Sequence, residues 1–128
     1  MDRALLKGAL DRAPVNDEGR SGAVLERVVL ADESCVIVKH FDPTVDLVMR
    51  LSGDSTGREV ELVRRGVLDG LPPTVLHPVI DAWYDDGRGV LVMRDLGDAI
   101  LTWKSIVSRD QARTMFAAIA DLHAAFLG

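Results

Sequence analysis

One lysine stands at the end of an apolar run that has the composition of a buried strand. Three β-branched residues precede Lys39, and Phe41 follows two positions later; residues of these types favour β-strands. A lysine ammonium is almost never buried without a partner, so Lys39 calls for a carboxylate, a phosphate, or both. On an extended strand Lys39 shares a face with Ile37, while His40 lies on the opposite face.

The next predicted helix offers a carboxylate for this lysine. Glu61 has Arg65 four residues on, which is the spacing of a surface ion pair. Glu59 stands beside the apolar stripe of the same helix and is therefore the better inward partner for Lys39. Two plainer readings stay open: Glu59 closes a capping box with Thr56, and Lys39 extends along the surface from the strand end.

A glycine-bearing turn precedes the strand before the lysine strand. Residues 19–22 read Gly-Arg-Ser-Gly, and backbone N–H groups exposed in such a turn can bind phosphate oxygens. Most turns of this composition bind nothing, so the turn carries weight only together with the lysine that follows it.

The surrounding elements alternate between strands and helices in a definite order. Apolar periodicity, caps and turn residues predict the following elements. They are a helix over 2–12, strands over 23–31 and 34–41, a helix from Asp42 to about 51, a helix over 57–68, a hairpin with strands 79–85 and 89–96, and a final helix opened by a capping box at Ser108. Antiparallel strands with a helix inserted between two hairpins predict an α+β domain.

The composition of the chain limits the classes of function that this domain can have. With 128 residues, 48% hydrophobic and 27% charged, the chain can form one ordinary core. A net charge of −5 argues against a nucleic-acid surface. We find neither an apolar run of membrane-spanning length nor a signal peptide, and therefore expect a cytoplasmic location without membrane contact. The single cysteine and three scattered histidines have no metal-ligand spacing.

The ordered set of motifs resembles the N-terminal lobe of the protein-kinase-like fold, and more closely the aminoglycoside/choline-type phosphotransferase family. The stretches that carry the resemblance are SGAVLERV (21–28), VIVKHFDP (36–43), GREVEL (57–62), HPVIDAW (77–83), VLVMRDLG (90–97) and ADLHAAF (120–126). The resemblance implies an antiparallel sheet of about five strands with an inserted helix, followed by the hinge and the first helix of the C-terminal lobe.

The same resemblance implies domain boundaries. Residues 1–18 are an N-terminal helix and lead-in, and residues 19–97 are the kinase-like nucleotide-binding lobe. Residues 98–128 are a linker and the first helix of a C-terminal lobe that is otherwise absent.

The resemblance also assigns roles to individual residues. Lys39 bridges the α- and β-phosphates of ATP or GTP, and Glu59 orients it. The nucleotide-binding residues that the resemblance implies besides this pair are Ser21 and Gly22 over the phosphates, Val24 and Ile37 on the adenine face, Met93 at the inner end of the hinge, and the backbone of Arg94 and Leu96 at the adenine edge. Mg²⁺ accompanies the nucleotide, with its ligands expected in the other lobe.

The chemistry of phosphoryl transfer is missing from these residues. The family places a catalytic aspartate and the magnesium-binding Asp and Asn after the helix ending in Leu-His-Ala, and no His-Gly-Asp or His-x-Asp-x-x-x-x-Asn stretch occurs here. We therefore expect no catalytic and no metal-binding residue in this chain. His123, on an apolar helical stripe, is better explained as a core residue.

Three functional hypotheses remain open at this point. The first is the nucleotide lobe of an enzyme that transfers a phosphoryl group from ATP or GTP to a small hydroxylated acceptor, inactive as this chain. The second is a non-catalytic nucleotide-binding or protein-interaction module that forms a homodimer through residues 112–126. The third is an α+β domain in which Lys39 and Glu59 form a structural ion pair and nothing binds.

Overall fold

The computed structural model describes residues 3–15, 23–102 and 104–127. The chain divides into two compact units. The described residues up to Arg65, together with Pro78–Asp95, form a sheet unit, and Gly66–His77, together with the described residues from Leu96 onward, form a second unit. Each unit is described by itself.

The sheet unit is built on five antiparallel strands in the order β1-β2-β3-β5-β4. The strands are β1 (Asp11–Pro14), β2 (Val24–Val29), β3 (Cys35–His40), β4 (Val79–Asp85) and β5 (Arg88–Arg94). The predicted α+β class with a five-stranded antiparallel sheet is thereby confirmed. β4 and β5 are joined at Asp86 and Gly87, both with positive φ, which is the backbone that a two-residue hairpin turn requires.

Strand register separates the side chains of the sheet into two faces. Lys39 on the central strand β3 lies opposite Leu25 of β2 and Leu91 of β5. Because directly opposed residues of antiparallel strands project to the same side, these three side chains share one face, which we call the lysine face. His40 lies on the reverse face, as predicted.

The reverse face carries the larger hydrophobic core. Its buried cluster draws on all the central strands and on Leu6 of the short helix α1 (Arg3–Lys7). The buried members from the sheet are Val28, Leu30, Val36, Val38, Trp83, Val90 and Val92. Three of them, Val28, Val38 and Val92, are fully buried. A one-residue shift of their strands would move these valines to the opposite face, so their burial in this core fixes the strand register.

Half of the lysine face is covered by two short helices inserted between β3 and β4. These are α2 (Leu47–Ser52) and α3 (Arg58–Arg64). Met49 of α2 and Val60 of α3 pack with Phe41, Ala82 and Leu91 in a second buried cluster. The covered half therefore includes Phe41 and, on the Lys39 rung, Leu91.

The structure corrects the prediction for the N-terminal segment. We expected one helix over 2–12, but α1 ends at Lys7 and Asp11–Pro14 form β1, which pairs with β2. β1 is defined by its pairing with β2, a contact that its own sequence does not encode. That sequence, Asp-Arg-Ala-Pro, has no alternation of apolar and polar residues that would have indicated a strand. The connection from β1 to β2 contains the glycine-bearing turn, and its residues 16–22 lie outside the described ranges.

The starts of α2 and α3 also differ from prediction. Asp42 does not cap a helix; its carboxylate accepts hydrogen bonds from the amide and hydroxyl of Thr44, which makes a turn. α2 begins four residues later, where the buried Asp46 accepts from the Met49 amide. α3 ends at Arg64 rather than near residue 68 because Gly66, at φ 68°, breaks the helix.

The second unit contains two 3-10 helices, Val67–Gly70 and Gly97–Ala99, and the long helix α4 (Arg109–Phe126). The capping box predicted for α4 is confirmed: Ser108 and Gln111 exchange side-chain to backbone hydrogen bonds. The Thr74 hydroxyl donates to Asp121 of α4 at 2.7 Å. Among the described helices, none has the length and apolar character needed to cross a bilayer.

Candidate functional site

Lys39 and Glu59 form a direct ion pair on the lysine face. Nζ of Lys39 lies 2.7 Å from Oε1 of Glu59, and the Lys39 and Glu59 side chains are 21% and 51% exposed. The lysine is therefore sheltered by one carboxylate without being sealed from solvent. An amine held in this way keeps part of its hydrogen-bonding capacity for a second anion, since an ammonium has three donors.

Phe41 forms the inner wall beside this pair. Nζ of Lys39 lies 4.5 Å from the centroid of the Phe41 ring, within the range of a cation–π interaction. Phe41 is itself buried against the backbone of Gly89, where an added Cβ would come within 3.1 Å of the ring. The ring is thus fixed by packing, and it limits the directions in which the Lys39 side chain can turn.

The start of α3 is held by Asp54 and not by the predicted capping box. The Asp54 carboxylate accepts backbone hydrogen bonds from Thr56, Gly57 and Arg58 at 2.8–3.2 Å. The N-cap residue of α3 is Gly57, which has no side chain that could make a capping hydrogen bond. Because Asp54 accepts hydrogen bonds from the amides of the first turn, Glu59 is not needed to cap the helix, and its carboxylate pairs with Lys39 instead.

A second contact anchors α3 on the sheet. The Tyr84 hydroxyl of β4 donates to Oε1 of Glu61 at 2.8 Å, and this bond, more than the nearby Arg65, lowers the pKa of the Glu61 carboxyl. The predicted pair between Glu61 and Arg65 is present at 3.3 Å. Glu61 thus holds α3 to β4, while Glu59, two residues earlier, pairs with Lys39 of β3.

A cavity of about 170 Å³ lies between β3 and the two inserted helices. The Lys39–Glu59 pair forms part of its wall, with Phe41 and Met49 supplying apolar surface. Asp46, Val48, Ser52, Asp54 and Arg58 complete the lining. The cavity is small and sits at the α2 side of the pair.

On the other side of Lys39, the next rung of the lysine face is apolar and only partly buried. Ile37 lies opposite Met93, one rung along from the Lys39–Leu91 pair, and both Ile37 and Met93 are half-buried. We call Ile37 and Met93, together with Leu25 of β2 on the Lys39 rung, the apolar platform. Such a flat, partly exposed patch next to a lysine can take a ring that carries an anionic group.

Register removes Val24 from this platform. The prediction placed Val24 beside Ile37, but Val24 lies opposite His40, on the reverse face, and is 54% exposed. Leu25 occupies the position on the lysine face instead. The resemblance assigned Val24 without a strand register, and the register of β2 against β3 depends on the turn at residues 30–34, which the sequence pattern did not fix.

The remaining predicted residues divide between three regions. Ser21 and Gly22 lie outside the described residues. Arg94 ends β5, and its amide donates to the Pro78 carbonyl at 2.9 Å. Leu96 belongs to the second unit, where its carbonyl accepts from the Ala99 amide. The structure therefore brings together Lys39, Glu59, Ile37 and Met93 out of the predicted set.

Comparison of the sequence with protein-family models and with curated proteins gives no match. In the ranges that the structure describes, no group of three or more His, Cys, Asp or Glu residues converges as a metal site.

Two residues of the site were missed by sequence reasoning. Asp54, which holds the start of α3, had a signal in its position three residues before Gly57, typical of a side chain that accepts from successive amides. Leu25 had none, because only the paired register of β2 distinguishes it from Val24.

Proposed function

We propose that the sheet unit is the nucleotide-binding lobe of a kinase-like phosphotransferase of the aminoglycoside/choline type. The observation that carries the proposal is the Lys39–Glu59 pair. A lysine on the third strand of an antiparallel sheet, oriented by a glutamate of the helix inserted after that strand, is the arrangement with which kinases hold the α- and β-phosphates.

The surroundings of the pair support a nucleotide in preference to a bare anion. The apolar platform of Leu25, Ile37 and Met93 adjoins Lys39 on the same face, so one ligand can contact both. A purine ring stacks on apolar surface, and its phosphates reach a cation a short distance away. The glycine-bearing turn at 19–22, which lies outside the described residues, is where phosphate-binding backbone amides are expected in this proposal.

In this proposal the chain binds ATP or GTP but does not transfer the phosphoryl group. Lys39 neutralises charge on the phosphates, which is one part of an electrostatic mechanism. The acceptor-positioning aspartate and the metal-binding residues of the family have no counterpart among these 128 residues.

The test is a titration of the isotope-labelled chain with Mg·ATP, followed by amide and methyl chemical shifts. We expect weak, saturable binding with shifts at Lys39, Ile37 and Met93, and smaller shifts with adenosine, which lacks phosphates. A purely structural ion pair predicts no saturable shift with either ligand, and that outcome would refute the proposal. Arg113, which pairs with Asp110 on α4, provides an internal reference that should not move.

One observation favours a second candidate, the interaction module that self-associates through its last helix. α4 has no buried residue, and its apolar side chains Met115, Phe116, Ile119 and Phe126 are 45–72% exposed. Surface of this kind marks protein contacts. If it forms a homodimer, light scattering should give twice the monomer mass, and Phe116→Asp should restore the monomer. A monomer at all concentrations would remove this candidate.

A further inference from the structure

An ion pair connects two strands of the lysine face that are not neighbours. Nε of Arg27, in β2, lies 2.5 Å from Oδ2 of Asp95, the residue after β5. β3 runs between β2 and β5. Adjacent strands are about 4.8 Å apart, so the two ends of the contact are separated by roughly 10 Å of sheet. We call this contact the crossing ion pair.

Register fixes the side of the sheet on which it crosses. Arg27 lies opposite Ile37, and Ile37 lies opposite Met93. The Arg27 side chain therefore projects from the same rung as Ile37 and Met93 and on the same face. To reach Asp95 from there, it must lie across β3 near Cys35 and Ile37.

The electrostatics of Arg27 agree with this path. The hydrogen bond to Asp95 is the largest influence raising the pKa of the guanidinium, and the side chain of Cys35, at the start of β3, is the next. Asp95 follows Arg94, which lies opposite Val36, so the contact with Asp95 places the guanidinium beside that end of β3. Arg27 is 53% exposed and Asp95 only 14%, so the arginine forms the outer layer over the strand.

We propose that the crossing ion pair covers part of the apolar platform, and that a nucleobase must separate Arg27 from Asp95 in order to bind there. The inference rests on the proposed nucleotide site and adds a determinant of its affinity. A planar base stacked on Ile37 and Met93 would occupy the space over β3 that the Arg27 side chain spans. Binding therefore includes the cost of separating Arg27 from Asp95.

The size of the effect follows from the exposure of the pair. Solvent-exposed ion pairs contribute little, so opening this one should weaken base binding by only about two- to five-fold. Removing the arginine should recover that factor. A guanidinium that instead stacked on the bound base would act in the opposite direction, because its removal would weaken binding.

The experiment compares adenosine and Mg·ATP binding to wild type, Arg27→Ala and Arg12→Ala by chemical-shift titration. Arg12 is the matched control, since it forms an ion pair with Glu26 at 3.0 Å on the reverse face. We expect both ligands to bind about two- to five-fold tighter to Arg27→Ala and unchanged to Arg12→Ala. Unchanged or weaker binding to Arg27→Ala overturns the inference.

A salt series on wild type and Arg27→Ala gives a second readout. Added NaCl strengthens the stacking of uncharged adenosine in both proteins, but it screens the crossing ion pair only in wild type. The affinity for adenosine should rise more steeply with salt in wild type than in Arg27→Ala, and equal salt dependence counts against the inference. Failure of the proposed function looks different: no form of the protein then binds nucleotide, whereas failure of this inference alone leaves Lys39-dependent binding intact.

Discussion

Replacing Phe41 by alanine is expected to lower the free energy of unfolding of the sheet unit by about 3–5 kcal/mol. The Phe41 side chain is only 4% exposed and packs with Met49, Val60 and Leu91. Its ring also lies against the backbone of Gly89, which has no side chain to move into the space left by truncation. The variant therefore leaves a cavity under α2 and α3 and removes the wall beside Lys39.

Urea unfolding followed by tryptophan fluorescence would measure this loss, because Trp83 is buried in the same unit. Phe116→Ala is the matched control: Phe116 is 72% exposed on α4, and its truncation should change the free energy of unfolding by less than about 0.5 kcal/mol. A loss below about 1 kcal/mol for Phe41→Ala would mean that the second buried cluster does not hold the inserted helices.

Replacing Lys39 by methionine is expected to reduce the affinity for Mg·ATP at least ten-fold. Methionine keeps a long unbranched side chain on β3 but removes the three donors that the proposal directs to phosphates. Hydrogen bonds to charged groups contribute about 1.5–3 kcal/mol, which corresponds to roughly 10- to 150-fold in affinity. Affinity for adenosine should hardly change, since the base and sugar do not use the ammonium.

The matched control is Lys104→Met, which removes an exposed lysine of the second unit. Calorimetric or chemical-shift titrations with ATP and adenosine on both variants separate the phosphate contribution from a general loss of structure. Unfolding should confirm that Lys39→Met is folded, because a partly exposed ion pair adds about 1 kcal/mol or less. Equal ATP affinity in wild type and Lys39→Met would leave the Lys39–Glu59 pair a structural contact.

Elements with local signals were predicted well from sequence. Asp86 and Gly87 supply the positive φ angles of the β4–β5 turn, and Ser108 and Gln111 cap α4 through contacts only three residues apart. Each of these features is settled by side chains within one turn of the chain. The pairing of Lys39 with Glu59 was also reachable, because the apolar neighbours of Glu59 indicated its inward side.

Features that depend on distant contacts were not predictable in the same way. β1 exists because Asp11–Pro14 can pair with β2, and that pairing leaves no mark on its own sequence. Val24 and Leu25 are both apolar and adjacent, so only the β2–β3 register assigns them to opposite faces. The crossing ion pair joins residues 68 positions apart, a separation over which sequence pattern carries no information.

The most direct test of the central claim is to map where an acyl-phosphate derivative of ATP labels the chain. An amine held against the phosphates attacks the acyl carbonyl, an amide forms, and ATP leaves. The chain has three lysines, Lys7, Lys39 and Lys104, so mass spectrometry of the digested protein gives an unambiguous distribution. The account predicts labelling concentrated on Lys39 and suppressed by excess ATP. Comparable labelling of all three lysines, unaffected by ATP, would contradict it.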